Sequence, residues 1–147
     1  MVTCFICMLR ETENGCEASA FRYVACCICD VQIYRTNGQW YWAEYSTFSI
    51  SDEAGKYRLT VDGYSGDAGD AMAASYISNF NANGRMFCTP ESDNDICPCN
   101  CAGQRIGGWW FGWCSVSYMN SLSLAIWKAS YPAVGDIQTS RMMVKVD

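Results

Sequence analysis

Two aspartates and two cysteines in one short stretch of the chain have side chains that could do chemistry. Asp93 and Asp95 alternate within an acidic run, and Cys101 and Cys114 follow it. In an extended or turn conformation the two carboxylates can converge on one cation. Calcium takes carboxylate and backbone carbonyl oxygens together, at about 2.3–2.6 Å. On spacing alone, a solvated acidic turn is the simpler interpretation, so the residues leave both possibilities open.

The segment that contains these residues predicts a long ordered loop. From Phe87 to Cys114 the apolar residues repeat neither every two positions, as in a strand, nor every 3.6, as in a helix. Near its end stands Gly107-Gly108-Trp109-Trp110, two residues without side chains beside two of the largest. Ordered loops of this length within a compact domain are usually functional, or held by a crosslink or a metal. Both kinds of restraint are available here.

Composition narrows the possible functions. The chain has 147 residues, a formal net charge of −5 and no histidine, and half of its residues are apolar. This length fits one ordinary domain with a real core. The acidic balance argues against nucleic acids and anionic membranes as partners, and no stretch predicts membrane insertion. Without histidine, the commonest general base is missing, so we expect no enzyme.

The cysteines indicate an extracellular protein. Eleven cysteines are too many for a reduced cytosolic domain unless they bind metal. Met1 to Leu9 is apolar but short and lacks a basic start, so it predicts no signal peptide, and we expect the true beginning to be missing or altered. The first 28 residues allow a small zinc site, but a cysteine-rich leader without a metal is the simpler interpretation. Their cysteines are Cys4, Cys7, Cys16, Cys26 and Cys27, followed at once by Cys29.

Strand patterns occupy the first half of the chain. A strand begins at Val31, the turn Thr36-Asn37-Gly38 predicts a hairpin, and Trp40 to Trp42 follows. Further strands are predicted at Tyr45–Ile50 and Tyr57–Val61. After them come a glycine-rich loop (63–69), a short helix (71–78) and a last strand at 142–146.

Read with its flanks, the long loop resembles the fibrinogen C-terminal domain of ficolins, tachylectins, angiopoietins, tenascins and fibrinogen chains. The residues that carry the resemblance are AEYSTFSISDEAGKYRLTVDGYSGDAGDAM (43–72), NGRMFCTPESDND (83–95), NCA (100–102), GGWWFGWC (107–114) and the late SRMMVKV. They occur in the family's order with nearly its gaps, over most of residues 29–146. From the resemblance we expect the family's first subdomain to be absent from this sequence and about ten residues to be missing after Cys114.

The resemblance implies an α+β fold, with a twisted, mainly antiparallel central sheet, short helices and a loop-rich calcium-binding subdomain. We accordingly divide the chain into a leader of unclear structure (1–28) and a partial fibrinogen-related domain (29–147). Within the domain, the sheet subdomain covers about 29–80, the calcium and recognition subdomain about 81–127, and a returning strand about 137–146.

The family also implies the site residues. Calcium would be the cofactor, bound by Asp93 and Asp95 and by the backbone carbonyls of Cys97 and Cys99, while Cys101 and Cys114 would form a disulfide. In acetyl-binding members the ligand meets backbone N–H groups at the second of these cysteines and the next residue, with aromatic rings around the acetyl methyl group. The corresponding ligand-binding residues here are Arg105, Trp113, Cys114, Ser115 and Tyr118.

Two functions of different classes follow from this resemblance. The first is a secreted, calcium-dependent lectin of innate immunity that binds acetylated carbohydrates and gains avidity as a homo-oligomer of the full-length protein. The alternative is a protein–protein interaction module of a receptor ligand or matrix protein, with no sugar binding. Arg105 stands in place of a tyrosine and Ser115 in place of a histidine of the acetyl pocket, which favours the alternative.

Overall fold

The structure, a computed structural model, describes residues 4–9, 24–74, 76, 78–121, 125–128 and 137–146. Its main feature is a five-stranded sheet of order β1-β7-β2-β3-β4, in which only the β1–β7 pair is parallel. A two-stranded sheet, β5-β6, and a short helix complete the described part. The predicted α+β class is confirmed. The elements are β1 Cys4–Leu9, β2 Val24–Arg35, β3 Trp40–Ile50, β4 Leu59–Gly66, α1 Cys101–Arg105, β5 Ser117–Tyr118, β6 Ile126–Trp127 and β7 Ile137–Val146.

One face of the sheet carries the core. Along β2, Cys29, Val31 and Ile33 are fully buried while the residues between them are at least partly exposed. This period of two places every second side chain on the same face. On β7, which lies next to β2, Met142 and Val144 are buried as well. No described helix is long and apolar enough to cross a membrane.

The hairpin predicted at Asn37-Gly38 is present between β2 and β3, and Gly38 has a φ of 80° that suits its turn. The separate strands predicted at Trp40–Trp42 and Tyr45–Ile50 are wrong, because β3 is one continuous strand. Its pairing with β2 shifts register between Tyr45 and Phe48, where two residues of β3, Ser46 and Thr47, lie opposite one residue of β2, Ile28. This bulge breaks the alternation that the sequence pattern relies on.

The region after β3 also differs from the prediction. The glycine-rich loop predicted from Gly63 begins inside β4, which ends only at Gly66. Both glycines are needed for the pairing, since a Cβ at Gly63 would lie 1.9 Å from the hydroxyl of Ser46 and one at Gly66 would lie 2.3 Å from the carbonyl oxygen of Trp42. The helix predicted at 71–78 is wrong over most of its described residues, because residues 71–73 and 78 form bends and turns and only Tyr76 of the described positions lies in a 3-10 helical turn.

Residues 4–9 take part in the sheet. β1 pairs with β7, and β2 begins at Val24, so the boundary predicted at residue 28 falls inside a strand. Residues 10–23, with Cys16, lie outside the described residues. The last strand, predicted at 142–146, forms the second half of β7.

Candidate functional site

The predicted long loop lies within an irregular region, residues 85–121, that we call the loop end. Trp110 fastens it to the sheet: its ring packs edge-on against Phe48 of β3 at 6.1 Å and against Phe87 at 5.2 Å between centroids. Its indole N–H donates a 2.8 Å hydrogen bond to the carbonyl of Tyr57. Trp109 and Trp110 are both buried, so the two tryptophans are core residues rather than ligand contacts.

The two glycines before these tryptophans allow backbone segments to meet. A Cβ on Gly107 would lie 1.8 Å from the carbonyl oxygen of Asn120, and one on Gly108 would lie 2.8 Å from the ring of Phe87. Next to them, Cys88 and Trp109 exchange two backbone hydrogen bonds, of 2.9 and 3.1 Å. The glycine pair therefore allows the segments around Phe87 and Asn120 to pack directly against the backbone at 107–108.

Asp95 organises the acidic turn. One carboxylate oxygen accepts a hydrogen bond from the N–H of Cys97 at 2.7 Å, and the other accepts from the N–H of Cys101 at 2.9 Å. The N–H of Asp95 itself donates to the carboxylate of Asp93 at 3.3 Å. The structure thus brings the two aspartates together, with Asp93 exposed and Asp95 partly buried.

The electrostatics of this turn suit a cation. Burial raises the pKa of Asp95, the hydrogen bonds from Cys101 and Cys97 lower it, and the neighbouring negative charge of Asp93 raises it further. A cation beside Asp95 would favour its charged form and so oppose this rise in its pKa. Carboxylate and carbonyl oxygens are also the donors that calcium prefers. The residues present therefore fit calcium.

The structure joins Cys101 and Cys114 in a disulfide, the pairing that the resemblance implies. A second disulfide, which the sequence reasoning missed, joins Cys97 and Cys99. Their Cys-x-Cys spacing was the available signal, but the resemblance implies these two residues only as carbonyl ligands. All four sulfur atoms lie within 4.8 Å of one another.

A short helix follows the acidic turn. Asn100 caps α1, with its side-chain oxygen accepting the N–H of Gly103 at 2.7 Å and its amide donating to the carbonyl of Pro90 at 3.0 Å. At the other end Ile106 adopts φ 55°, a left-handed conformation that usually falls to glycine. The cap thus ties the helix back to the residues before the acidic turn.

A further contact that sequence reasoning missed connects the acidic turn to the sheet side of the molecule. Lys56 donates from its ammonium group to the side chain of Asn94 at 2.7 Å, and Asn94 donates to the carbonyl of Phe87 at 2.9 Å. Lys56 and Asn94 are 38 positions apart, so no local pattern indicates their meeting.

The recognition residues predicted around Cys114 form a strained turn. Cys114 and Ser115 have φ values of 50° and 41°, in the region that L-residues rarely adopt. Neither backbone N–H donates to another described residue. The N–H groups on either side are bonded, from Trp113 to the carbonyl of Asn79 and from Val116 to that of Phe80. Two backbone donors thus remain available in a turn that is held on both sides.

Trp113 lies at the surface beside this turn. Its side chain is 47% exposed and stacks on Phe80, which is 41% exposed, with the rings 6.3 Å apart and inclined by 21°.

Arg105 and Tyr118 occupy a different environment. The guanidinium of Arg105 lies over the ring of Tyr118 at 5.3 Å, and Tyr118 is only 3% exposed. Burial raises the pKa of the Tyr118 hydroxyl, and the charge of Arg105 opposes this rise. The ring of Tyr118 is therefore a packing surface for Arg105 and Phe111 rather than an open wall of a pocket.

Comparison with known proteins places these features in a family. Residues 23–131 match the model of the C-terminal globular domain of fibrinogen beta and gamma chains. Angiopoietin-4 of Bos taurus is 38% identical over 92 residues, which are 63% of this chain but 17% of that protein.

Solved structures show the same likeness. The fibrinogen-like globe domain of human ANGPTL2 superposes with a TM-score of 0.68 at 25% identity, over 83% of this chain and 59% of that one. A lamprey fibrin D-dimer, complexed with the peptide ligand Gly-His-Arg-Pro-amide, gives 0.58 at 27% identity, over 64% of this chain and 32% of that one.

Proposed function

Because the chain belongs to the family of the C-terminal globular domain of fibrinogen beta and gamma chains, we propose that it is an extracellular, calcium-dependent protein-recognition module rather than an enzyme. Its partner is an exposed segment of a cell-surface or matrix protein. The observation that carries this proposal is the stack of Phe80 and Trp113 at the surface, beside two available backbone donors.

The chemistry of this surface suits a polypeptide. Aromatic residues are enriched at the centres of protein interfaces, where they bury much area at little cost in conformational entropy. The rings of Phe80 and Trp113 are already stacked on each other, so the two side chains lose little conformational freedom when a partner covers them. The N–H groups of Cys114 and Ser115 supply hydrogen bonds for a peptide carbonyl. The peptide bound by the lamprey fibrin relative supports this class of ligand.

An acetylated glycan is less well supported as the ligand. Burial of an acetyl methyl group needs open aromatic faces around the donor pair. Tyr118 is almost fully buried beneath Arg105, and the Ser115 hydroxyl accepts the N–H of Gly112 at 3.2 Å. Of the relatives reported above, the lamprey fibrin D-dimer is complexed with a ligand, and that ligand is a peptide rather than a glycan. The lectin prediction is therefore tested as the competing outcome.

Calcium would support the turn at Cys114 and Ser115, which we call the recognition turn, rather than contact the partner. Asp93 and Asp95, with the carbonyls of Cys97 and Cys99, would hold the ion, which supplies positive charge between two carboxylates. Asp95 also accepts the N–H of Cys101, whose sulfur is bonded to Cys114 at the recognition turn. Binding of the ion would therefore also fix the backbone of the recognition turn, through this hydrogen bond and this disulfide. In a homo-oligomer of the full-length protein, several weak sites would add avidity.

Binding to cells tests the partner class. We expect the labelled chain to bind cultured cells in the presence of calcium and to lose this binding when surface proteins are first digested by a protease. Trp113→Ala should weaken binding about 30-fold or more, the size of an interface hot spot. Trp42→Ala is the matched control, because Trp42 is similarly exposed, at 43%, but lies on the sheet.

Two outcomes contradict the proposal. Retention on an N-acetylglucosamine resin with release by free acetate, together with protease-resistant cell binding, would identify a lectin. Equal binding by the Trp113→Ala and Trp42→Ala variants would place the contact surface elsewhere.

Calorimetric titration with calcium tests the ion separately. Asp95→Asn removes one ligand charge and should lower calcium affinity about tenfold or more, since charge count sets affinity at such sites. Glu53→Gln, in an exposed turn after β3, is the control and should leave affinity unchanged. If the native chain takes up no calcium, recognition would have to be independent of the ion.

A further inference from the structure

The cysteine cluster of the loop end contains a contact between its two disulfides. The sulfur of Cys99, bonded to Cys97, lies 3.6 Å from the sulfur of Cys114, bonded to Cys101. We propose that these four cysteines form a site of thiol–disulfide exchange, which takes a dithiol as its co-reactant and in which Cys99 passes the reduction on to the disulfide of the recognition turn.

The Cys97–Cys99 disulfide is the entry point. Both of its residues are partly exposed, whereas in the second disulfide only Cys114 is partly exposed and Cys101 is fully buried. Its partners are 2 positions apart, against 13 for Cys101 and Cys114. Closing so short a ring restricts the unfolded chain less, so this bond is held less firmly by the fold. An external thiolate therefore reaches and opens this disulfide first.

The reaction balances in two steps. A dithiol gives two electrons and two protons to the Cys97–Cys99 bond, becomes a cyclic disulfide and leaves two thiols on the protein. The Cys99 thiolate then attacks the sulfur of Cys114, so that a Cys99–Cys114 bond forms and the Cys101–Cys114 bond breaks. Cys101 leaves as a thiolate and takes up the proton that Cys99 gave up, with no further change in oxidation state.

The exchange changes the part of the loop end that carries recognition. Cys101 is the first residue of α1 and donates its N–H to Asp95. Once its sulfur is released, the acidic turn and the Cys114–Ser115 turn are no longer crosslinked through the start of this helix. A four-thiolate metal site would need the same opening first, because thiolates, and not disulfide sulfurs, are the ligands of zinc.

Disulfide mapping after limited reduction tests the proposal. The full chain is first treated with an alkylating agent under native conditions, to block accessible thiols, and then with about one equivalent of dithiothreitol and a second, isotopically distinct alkylating agent. We expect molecules in which Cys97 and Cys101 carry the second label and Cys99 is linked to Cys114, identified by fragmentation of the linked peptides. Label on Cys97 and Cys99 alone, with Cys101–Cys114 intact, overturns the proposal.

The double variant Cys97→Ser/Cys99→Ser is the matched control, because it removes the relay and leaves the second disulfide. At the same dithiothreitol concentration its Cys101 should be labelled about tenfold more slowly than in the native chain. Equal rates in the two folded proteins would show direct reduction of Cys101–Cys114 and refute the relay. If circular dichroism shows the variant to be unfolded, the linkage found in the native chain decides.

Discussion

The sheet and the loop end hold their shapes by different means. In the sheet, β3 pairs with both β2 and β4, and the buried residues alternate along the strands. In the described part of the loop end, strand pairing is limited to β5 and to the bridges Cys88–Trp109 and Thr89–Ser92, and single residues fix most of the backbone. Particular backbone groups are held there by two disulfides, the carboxylate of Asp95, the amide of Asn100 and the indole of Trp110. A periodic pattern specifies the first region, and individual side chains specify the second.

The contrast predicts unequal tolerance to substitution. A strand residue has equivalent neighbours on either side that still pair when it changes. Asp95 has no such substitute, because its two oxygens hold the N–H groups of Cys97 and Cys101 at once. The regions meet where the ring of Phe48 contacts that of Trp110.

The largest loss of stability should come from removing the contact between Phe48 and Trp110 that joins the two regions. Phe48→Ala removes a fully buried ring that faces both regions and should lower the free energy of unfolding by about 3–5 kcal/mol. Phe80→Ala is the control, since Phe80 is exposed and should cost far less. Chemical denaturation followed by tryptophan fluorescence measures both. Equal losses would mean that the Phe48 contact does not join the regions.

A smaller and more local loss of stability is expected from removing the disulfide between Cys101 and Cys114. Cys101→Ser/Cys114→Ser opens a loop of about fourteen residues and should cost about 3 kcal/mol in the chain-entropy model. Hydrogen exchange should show the loss in the loop end, while β2 and β3 keep their protection. Loss of protection in β2 and β3 to the same degree would show that the two regions unfold as one unit.

The smallest effect has the opposite sign. Ile106→Gly should raise stability by about 1 kcal/mol, because glycine adopts the left-handed conformation at the end of α1 without a Cβ clash. Little burial is lost, since Ile106 is 52% exposed. Ile106→Ala keeps the Cβ and should gain less in the same denaturation experiment. A loss of stability with glycine would show that the side chain of Ile106 contributes more than its conformation costs.

The sheet was largely predictable from sequence because its signals are local. Asn37-Gly38 specifies a hairpin whatever the rest of the chain does. The errors fall where long-range geometry overrides local pattern. The bulge near Phe48 makes the sequence pattern of one strand look like two. Gly63 lies inside β4 rather than in a loop, close to Ser46 of β3, where a Cβ would not fit.

The loop end was predictable only through resemblance to a family. The resemblance identified Cys101 and Cys114 as a pair and placed the carboxylates of Asp93 and Asp95 together. It gave no indication of the Cys97–Cys99 bond. Nor could any local pattern show that Arg105 covers the ring of Tyr118, since this contact depends on how the chain returns after thirteen residues.

The place of β7 in the sheet has a kinetic consequence. Arg141 on β7 and Gln32 on β2 are hydrogen-bonded across 109 positions of the chain, whereas β2 and β3 are joined by a tight turn. The hairpin can form within microseconds, but β7 must wait for a long loop to close. During that interval the outer edge of β2 lacks a pairing partner, so the nascent sheet is most vulnerable to self-association before β7 arrives.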